Sequence, residues 1–91
     1  MNCYQFQPGE VVRHFKYELL TEEEKAAKKY LYEIVGIAIH TETEEHLVIY
    51  RALYGKGELF ARPYESFVCE VDHKKYPHIK QKRRFEKTCL D

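Results

Sequence analysis

Hydrophobic and polar residues alternate along this chain in several short runs, a pattern typical of β-strands rather than helices. The clearest run spans 31–40 and is largely apolar in both alternating sets, as expected of a central strand covered on both sides. A similar run at 46–54 follows the polar segment 41–45, which predicts a β-hairpin. Shorter runs at 11–17, 59–62, 67–71 and 83–85 bring the predicted total to five or six strands.

Strict alternation also assigns the side chains of the 31–40 strand to two faces. Tyr32 and Ile34 are expected on one face, and Val35 and Ile37 on the other. Gly36 is a place where the strand can bend or another segment can approach closely.

One segment, 18–30, has a different character and predicts a short inserted surface helix. Thr21 and Glu24 have the spacing of a capping box, with Thr21 as the N-cap. Acidic residues come first and lysines follow, in agreement with the helix dipole. The segment has little apolar stripe, so we expect it on the surface. A second single helical turn is expected at 64–67, after Pro63.

Ninety-one residues are enough for one domain, here 1–91, and leave no room for a second core. Eight Tyr and five Phe supply the large apolar side chains that so small a core needs. The fold class expected from these short strands and turns is mainly β, a small and strongly bent barrel.

The net charge of the chain is zero, but its distribution is uneven. The C-terminal segment 73–91 holds seven basic and two acidic residues, a charge of +5, and the other 72 residues hold eight basic and thirteen acidic residues, a charge of −5. Such a segment can contact nucleic acid or an acidic partner. It can equally fold back onto the acidic remainder, which is the simpler interpretation for a short chain.

Cysteine usage and hydropathy bear on the cell compartment. Three widely spaced cysteines without a Cys-x-x-Cys pair indicate reduced thiols in a cytoplasmic protein. Residues 1–7 lack the features of a secretion signal, and the longest apolar stretch, 34–39, is far too short to cross a bilayer. We therefore expect a cytoplasmic protein with no membrane contact.

Several segments taken in order resemble the small bacterial family catalogued as domain of unknown function 1653. The most specific are Arg13-His14-Phe15-Lys16 and His40-Thr41-Glu42-Thr43; the others are Pro8-Gly9, 32–39, 45–55, and Arg62-Pro63 with Phe67. The resemblance implies an SH3-like β-barrel and no established reaction. Two departures are the helix between Lys16 and Tyr32, and the separation of Pro77 from Arg84-Phe85, where the family has a continuous Pro-Arg-Phe.

The candidate site is a set of basic, titratable and aromatic residues expected around the hairpin end of the barrel. Converging arginines would suit a phosphate or carboxylate, since a guanidinium offers a planar fork of donors. We therefore predict a binding module for a small anionic or nucleotide-like ligand. The structural alternative is that Glu42 and Glu45 pair with the arginines to pin the hairpin. The predicted ligand-binding residues are Arg13, His14, Lys16, His40, Glu42, Tyr50, Arg51 and Arg62.

Other functions remain open at this stage. The basic segment 73–91 could contact nucleic acid or a protein, and the tyrosines could form a groove for a proline-rich peptide. His40 with Glu42 could serve acid–base catalysis, although no nucleophile accompanies them, so an enzyme is the less favoured class. His40, Glu42 and His46 lack any standard zinc spacing, so no metal is expected. No cofactor is expected either, and a homo-oligomer is left open.

Overall fold

The computed structural model describes residues 6–88, and these form one antiparallel sheet of five strands. Across the sheet the order is β4-β3-β2-β1-β5, so β2 and β3 are central and β4 and β5 are edges. The strands are β1 (Val11–His14), β2 (Leu31–Ile39), β3 (His46–Ala52), β4 (Leu59–Pro63) and β5 (Phe85–Lys87).

Three short helical segments lie between the strands. A 3-10 helix (Phe15–Leu19) follows β1, α1 (Glu22–Ala26) comes next, and α2 (Tyr64–Val68) follows β4. At the start of α1, the Glu24 backbone N–H donates to the Thr21 hydroxyl, and the Thr21 N–H donates to the Glu24 carboxylate. α1 buries no side chain, as predicted for a surface helix in 18–30. No helix within residues 6–88 has the length and apolar character needed to cross a membrane.

A β-bulge in β2 changes which side chains share a face of the sheet. The pairing with β3 skips one residue between Ile34 and Gly36, so Val35 is the extra residue. The alternation shifts by one position, and Ile37 packs against the same core as Ile34. The prediction that Ile37 and Ile34 lie on different faces of the sheet is therefore wrong, because strict period-two alternation does not allow for a bulge.

One face of the sheet carries the main core and is strongly curved. The guanidinium of Arg62 on β4 lies 5.9 Å from the ring centroid of Phe85 on β5. In a flat sheet these two strands would be roughly 19 Å apart, since neighbouring strands are spaced about 4.8 Å. Phe67 of α2 packs against this face and stacks on Phe85 at 4.0 Å. The largest fully buried side chains are Val12, Ile34, Val48, Phe67 and Phe85.

The basic C-terminal segment folds back onto β1 and the 3-10 helix. Gln81 is only 4% exposed; its Oε1 accepts the Arg13 Nε–H at 3.0 Å, and its Nε2 donates to the Arg13 carbonyl at 2.9 Å. The Glu18 carboxylate accepts the backbone N–H groups of Lys80 and Gln81 at 2.9 and 2.7 Å. A second small core joins this segment to the 3-10 helix and consists of Phe15, Val71, Tyr76 and Ile79.

The mainly β class is confirmed, but the sheet is not a closed barrel. Among the described residues, β4 and β5 are edges that no ladder joins. The strand predicted at 67–71 is wrong: Pro63, with a φ of −54°, starts α2, which continues to Val68. Among the described residues outside the five strands, Glu70 and Arg83 form a single isolated β-bridge. Cys69 is a free thiol; Cys3 and Cys89 lie outside the described residues.

Candidate functional site

A cavity of about 270 Å³, here called the aromatic cavity, opens on the core face of the sheet near the start of β2. The sheet register explains its composition, because Tyr50 pairs with Phe60 and His14 pairs with Phe85 on adjacent strands. No carboxylate among residues 6–88 lines it. The lining residues are His14, Lys16, Tyr30, Tyr32, Tyr50, Tyr54, Phe60, Arg62 and Phe85.

Arg62, the penultimate residue of β4, contributes a guanidinium that is only partly satisfied. Its Nη1 donates to the Ser66 hydroxyl at 3.3 Å. Its Nε is buried and has no hydrogen-bond partner within the part of the chain that the structure describes. A buried donor without an acceptor costs about 1–3 kcal/mol, so this guanidinium has unused hydrogen-bonding capacity.

A second cavity of about 440 Å³, here called the basic cavity, adjoins the first and shares His14, Lys16 and Arg62 with it. Lys75 and Arg84 also line it. Its one lining carboxylate, Asp72, accepts the backbone N–H groups of Lys74 and Lys75 at 3.1 and 3.3 Å. None of the ion pairs formed within residues 6–88 involves the four lining cations Lys16, Arg62, Lys75 and Arg84.

His14 lies where the two cavities meet and is uncharged at neutral pH. Burial lowers the pKa of its imidazole to about 4, and the positive charges of Arg84, Lys16 and Arg62 act in the same direction. Its Nδ1 accepts the Lys16 backbone N–H at 3.1 Å, which places the proton of the neutral ring on Nε2. His14 therefore presents a hydrogen-bond donor without adding a charge.

The tyrosines of the aromatic cavity combine ring faces with a pair of hydroxyl groups. The hydroxyls of Tyr32 and Tyr54 lie 2.9 Å apart. Burial, reinforced by this hydrogen bond, raises the pKa of Tyr32 well above its ordinary value, so its hydroxyl stays protonated. The rings of Tyr50 and Phe60 are 5.6 Å apart and tilted by 32°. Such walls can stack against a planar ligand ring while the hydroxyls supply polar contacts.

Tyr30 reaches the cavity from a strained backbone position. Its φ is +64°, in the left-handed region that bulky side chains avoid. The Tyr30 carbonyl accepts the His14 backbone N–H at 3.0 Å, and the two rings lie 5.5 Å apart. Strain of this kind concentrates at functional sites, where the surrounding structure holds it in place.

His40 and Glu42 lie at the other end of the sheet from the two cavities. Tyr32 and Ile39 are seven positions apart in β2, a span on the order of 20 Å at the usual rise per residue. The His40 Nδ1 accepts the backbone N–H groups of Glu42 and Thr43 at 3.1 and 3.2 Å, so this ring organises the turn. The sequence suggested that the Glu42 carboxylate orients the imidazole. In the structure it is the Glu42 backbone N–H that contacts the His40 ring.

The remaining two predicted residues lie elsewhere again. Arg51 neighbours Tyr50 in β3 and so projects from the opposite face, where it forms an ion pair with Glu33. Arg13 packs over the Tyr17 ring at 5.4 Å and donates to Gln81. The structure thus brings together four of the eight predicted residues, His14, Lys16, Tyr50 and Arg62, and separates the other four from them.

A metal site does not emerge from this part of the chain. Within residues 6–88, no three side chains of His, Cys, Asp or Glu are grouped closely enough to hold a metal ion. The hydrogen-bond donors around the two cavities are the side chains of lysines, arginines, tyrosines and one histidine. Such groups suit an anion better than a cation.

Comparison with known proteins gives a family and nothing more specific. Residues 10–87 match the model of the family described as Protein of unknown function (DUF1653). The chain belongs to the DUF1653 family. No curated protein matches it, and no solved structure does. The match spans both cavities of this DUF1653 domain, since every lining residue of each falls within 10–87.

Several lining residues of the DUF1653 domain escaped the sequence analysis. Tyr50 and Tyr54 are four residues apart and so fall on the same face of the predicted return strand, which was a usable signal for the aromatic cavity. Lys75 and Arg84 gave no such signal, because their approach depends on how the C-terminal segment folds back over β1. The missed residues are Phe15, Tyr30, Tyr32, Tyr54, Phe60, Val71, Asp72, Lys75, Tyr76, Arg84 and Phe85.

Proposed function

We propose that this domain is a binding module for a small anionic or nucleotide-like ligand, held where the two cavities meet at Lys16 and Arg62. The buried Arg62 Nε without an acceptor carries the proposal. Three further cations around it have no ion-pair partner within the described residues. A guanidinium fork with an unused donor is well matched to a phosphate or carboxylate oxygen.

The structural alternative was that Glu42 and Glu45 pair with the arginines. A purely structural ion pair accounts for Arg51, although with Glu33 and not with Glu42 or Glu45, and it does not account for Arg62. Arg51 pairs with Glu33 on the neighbouring strand, which is sufficient reason for its presence. Arg62 contacts a serine hydroxyl and an aromatic ring instead of a carboxylate. This contrast supports a ligand role for Arg62 and makes Arg51 its matched control.

The test is calorimetric titration of the wild-type domain with phosphate, pyrophosphate, citrate and nucleoside monophosphates. We expect at least one anion to bind, and Arg62→Met to weaken it roughly tenfold or more, because a charge-assisted hydrogen bond contributes about 1.5–3 kcal/mol. Lys16→Met should weaken it as well, and Arg51→Met should not. Binding that is equal in Arg62→Met and Arg51→Met, with both variants folded by circular dichroism, would contradict the proposal.

The curvature of the sheet supports a second, architectural part of the proposal. We take the fold to be an SH3-like barrel left open between β4 and β5, whose side chains already meet through Arg62 and Phe85. The opening between these two edges is where the aromatic cavity lies. On this account the incomplete closure of the sheet is what makes room for the ligand.

The alternative of a nucleic-acid or protein partner on the basic segment 73–91 needs a different test from truncation. Removing the segment would also remove Ile79, Gln81 and Phe85, which are buried. Charge-reversing substitutions at the exposed Lys74 and Lys80 leave those contacts in place. Loss of a salt-sensitive RNA or DNA affinity in these variants would favour the alternative.

A further inference from the structure

The two cavities differ in chemistry, and that difference indicates a ligand with two different ends. The aromatic cavity is lined mostly by rings, and Lys16 and Arg62 are the cations among its described lining residues. The basic cavity holds four cations against one carboxylate, Asp72, whose Oδ1 accepts two backbone N–H groups. A planar, weakly polar group suits the first cavity, and a multiply charged anion suits the second.

The cavities are adjacent, because His14, Lys16 and Arg62 line both of them. A ligand that extends past these three residues would contact both cavities. The neutral His14 presents its Nε2 proton at this point, which suits an uncharged oxygen such as a ribose hydroxyl or an ester oxygen. A ring and an anion joined by a polar spacer would therefore meet matching groups along the whole path.

We propose that the ligand is a free nucleoside monophosphate, with its base in the aromatic cavity and its phosphate in the basic cavity. This inference rests on the proposed anion-binding function and adds the ligand class to it. Base stacking on the ring of Phe60, which is 38% exposed, provides affinity for any base, because every base has a flat π face. The phosphate receives the charges of Lys16, Arg62, Lys75 and Arg84.

The volume of the aromatic cavity is of the scale of one base. At about 270 Å³ it lies just below the usual range for sites of drug-sized molecules, which begins at about 300 Å³. A single base with part of its ribose is of this scale, whereas two stacked bases need a longer platform. A mononucleotide is thus favoured over a single-stranded oligonucleotide.

The experiment compares wild-type affinities for whole and divided ligands by calorimetry. The titrants are AMP, GMP, CMP and UMP, the corresponding nucleosides, ribose 5-phosphate, inorganic phosphate, and a single-stranded hexanucleotide. We expect at least one monophosphate to bind roughly tenfold or more tightly than both its nucleoside and ribose 5-phosphate, since each half loses one cavity.

Variants separate the contributions of the two cavities. Phe60→Leu, on the exposed edge strand, should lower affinity for the monophosphate and leave that for ribose 5-phosphate unchanged. Lys75→Met should weaken both ligands, whereas Lys74→Met, one residue away and outside the lining, should weaken neither. Equal loss in Lys74→Met and Lys75→Met would overturn the placement of the phosphate.

The outcomes distinguish this inference from the function on which it rests. If ribose 5-phosphate or inorganic phosphate binds as tightly as every monophosphate, the nucleotide inference is overturned and anion binding stands. If the hexanucleotide binds through Phe60 and Lys75 and no monophosphate binds, a free nucleotide is excluded. If pyrophosphate, citrate and all the monophosphates fail to bind the folded wild type, both proposals fall.

Discussion

At the scale of single residues, the protonation state of His14 links the cavities to the stability of the protein. The groups that face its ring are Lys16, Tyr30, Arg62 and Arg84, together with the rings of Phe15 and Phe85. Three of these groups are cationic and none is anionic. The folded protein therefore holds the imidazole neutral, with a pKa of about 4, whereas an unfolded chain has a histidine pKa near 6.5.

This difference predicts a specific pH dependence of stability. Between pH 6.5 and 4 the unfolded chain binds a proton that the folded protein does not, so the free energy of unfolding falls as the pH falls. From pH 7 to pH 5 we expect a loss of about 1–2 kcal/mol from this residue, measured by urea unfolding. His14→Asn keeps an acceptor for the Lys16 N–H and removes the titration, so its slope over the same window should be flatter.

Acidic residues do not obscure that measurement. Glu10 and Glu24 also have shifted pKa values, lowered chiefly by backbone hydrogen bonds, and their contributions are lost as the pH falls from the ordinary carboxylate pKa of 4.5 downward, mostly below the window from pH 7 to pH 5. A His14→Asn variant that loses as much stability as the wild type between pH 7 and pH 5 would show that His14 is not held neutral.

At the scale of elements, Gln81 fixes the C-terminal segment to β1. Its side chain accepts from the Arg13 Nε–H and donates to the carbonyls of Arg13 and Arg83. This contact positions the segment that carries Lys75 and Arg84 into the basic cavity. The cavity thus depends on a buried amide that contacts no ligand itself.

Gln81→Met should remove these hydrogen bonds while nearly conserving volume. We expect a loss of about 2–3 kcal/mol in the free energy of unfolding, because buried carbonyls and a guanidinium nitrogen lose their partner. The control is Lys80→Met at the exposed neighbouring position, with an expected change within about 0.5 kcal/mol. Similar urea midpoints for the two variants would contradict an anchoring role for Gln81.

Elements specified by local signals could be predicted from the sequence, and those set by distant contacts could not. The hairpin between β2 and β3 and the capping box of α1 depend on residues adjacent in the chain. The bulge at Val35 depends on how β2 pairs with β3 over its whole length. The end of α2 and the position of β5 depend on the stacking of Phe67 on Phe85, two residues that are distant from each other in sequence.

At the scale of the whole molecule, the uneven charge of the sequence is partly resolved by folding. Lys87 pairs with Glu10 at 3.0 Å, and the Glu18 carboxylate caps the backbone at Lys80. Lys75 and Arg84 of the same segment instead line the basic cavity. The C-terminal segment therefore both balances the acidic remainder and supplies half of the cavity's cations.

The residues of the candidate site could be predicted in part, but the place where they meet could not. The motif Arg13-His14-Phe15-Lys16 and the arginine at 62 indicated an anion site, and His14, Lys16 and Arg62 do meet. The meeting point could not be predicted, because it depends on the curvature that brings β4 over β5. The hairpin end holding His40 and Glu42 lies at the opposite end of β2 from that point.

Binding of an anion between Lys16 and Arg62 can be tested by NMR titration. Pyrophosphate and a nucleoside monophosphate are added in turn to ¹⁵N-labelled protein. We expect shifts in the Arg62 Nε–H signal and in the backbone amides of His14 and Lys16, with the hairpin amides of 40–46 unchanged. Shifts confined to 40–46, or no shift from either probe, would contradict the account.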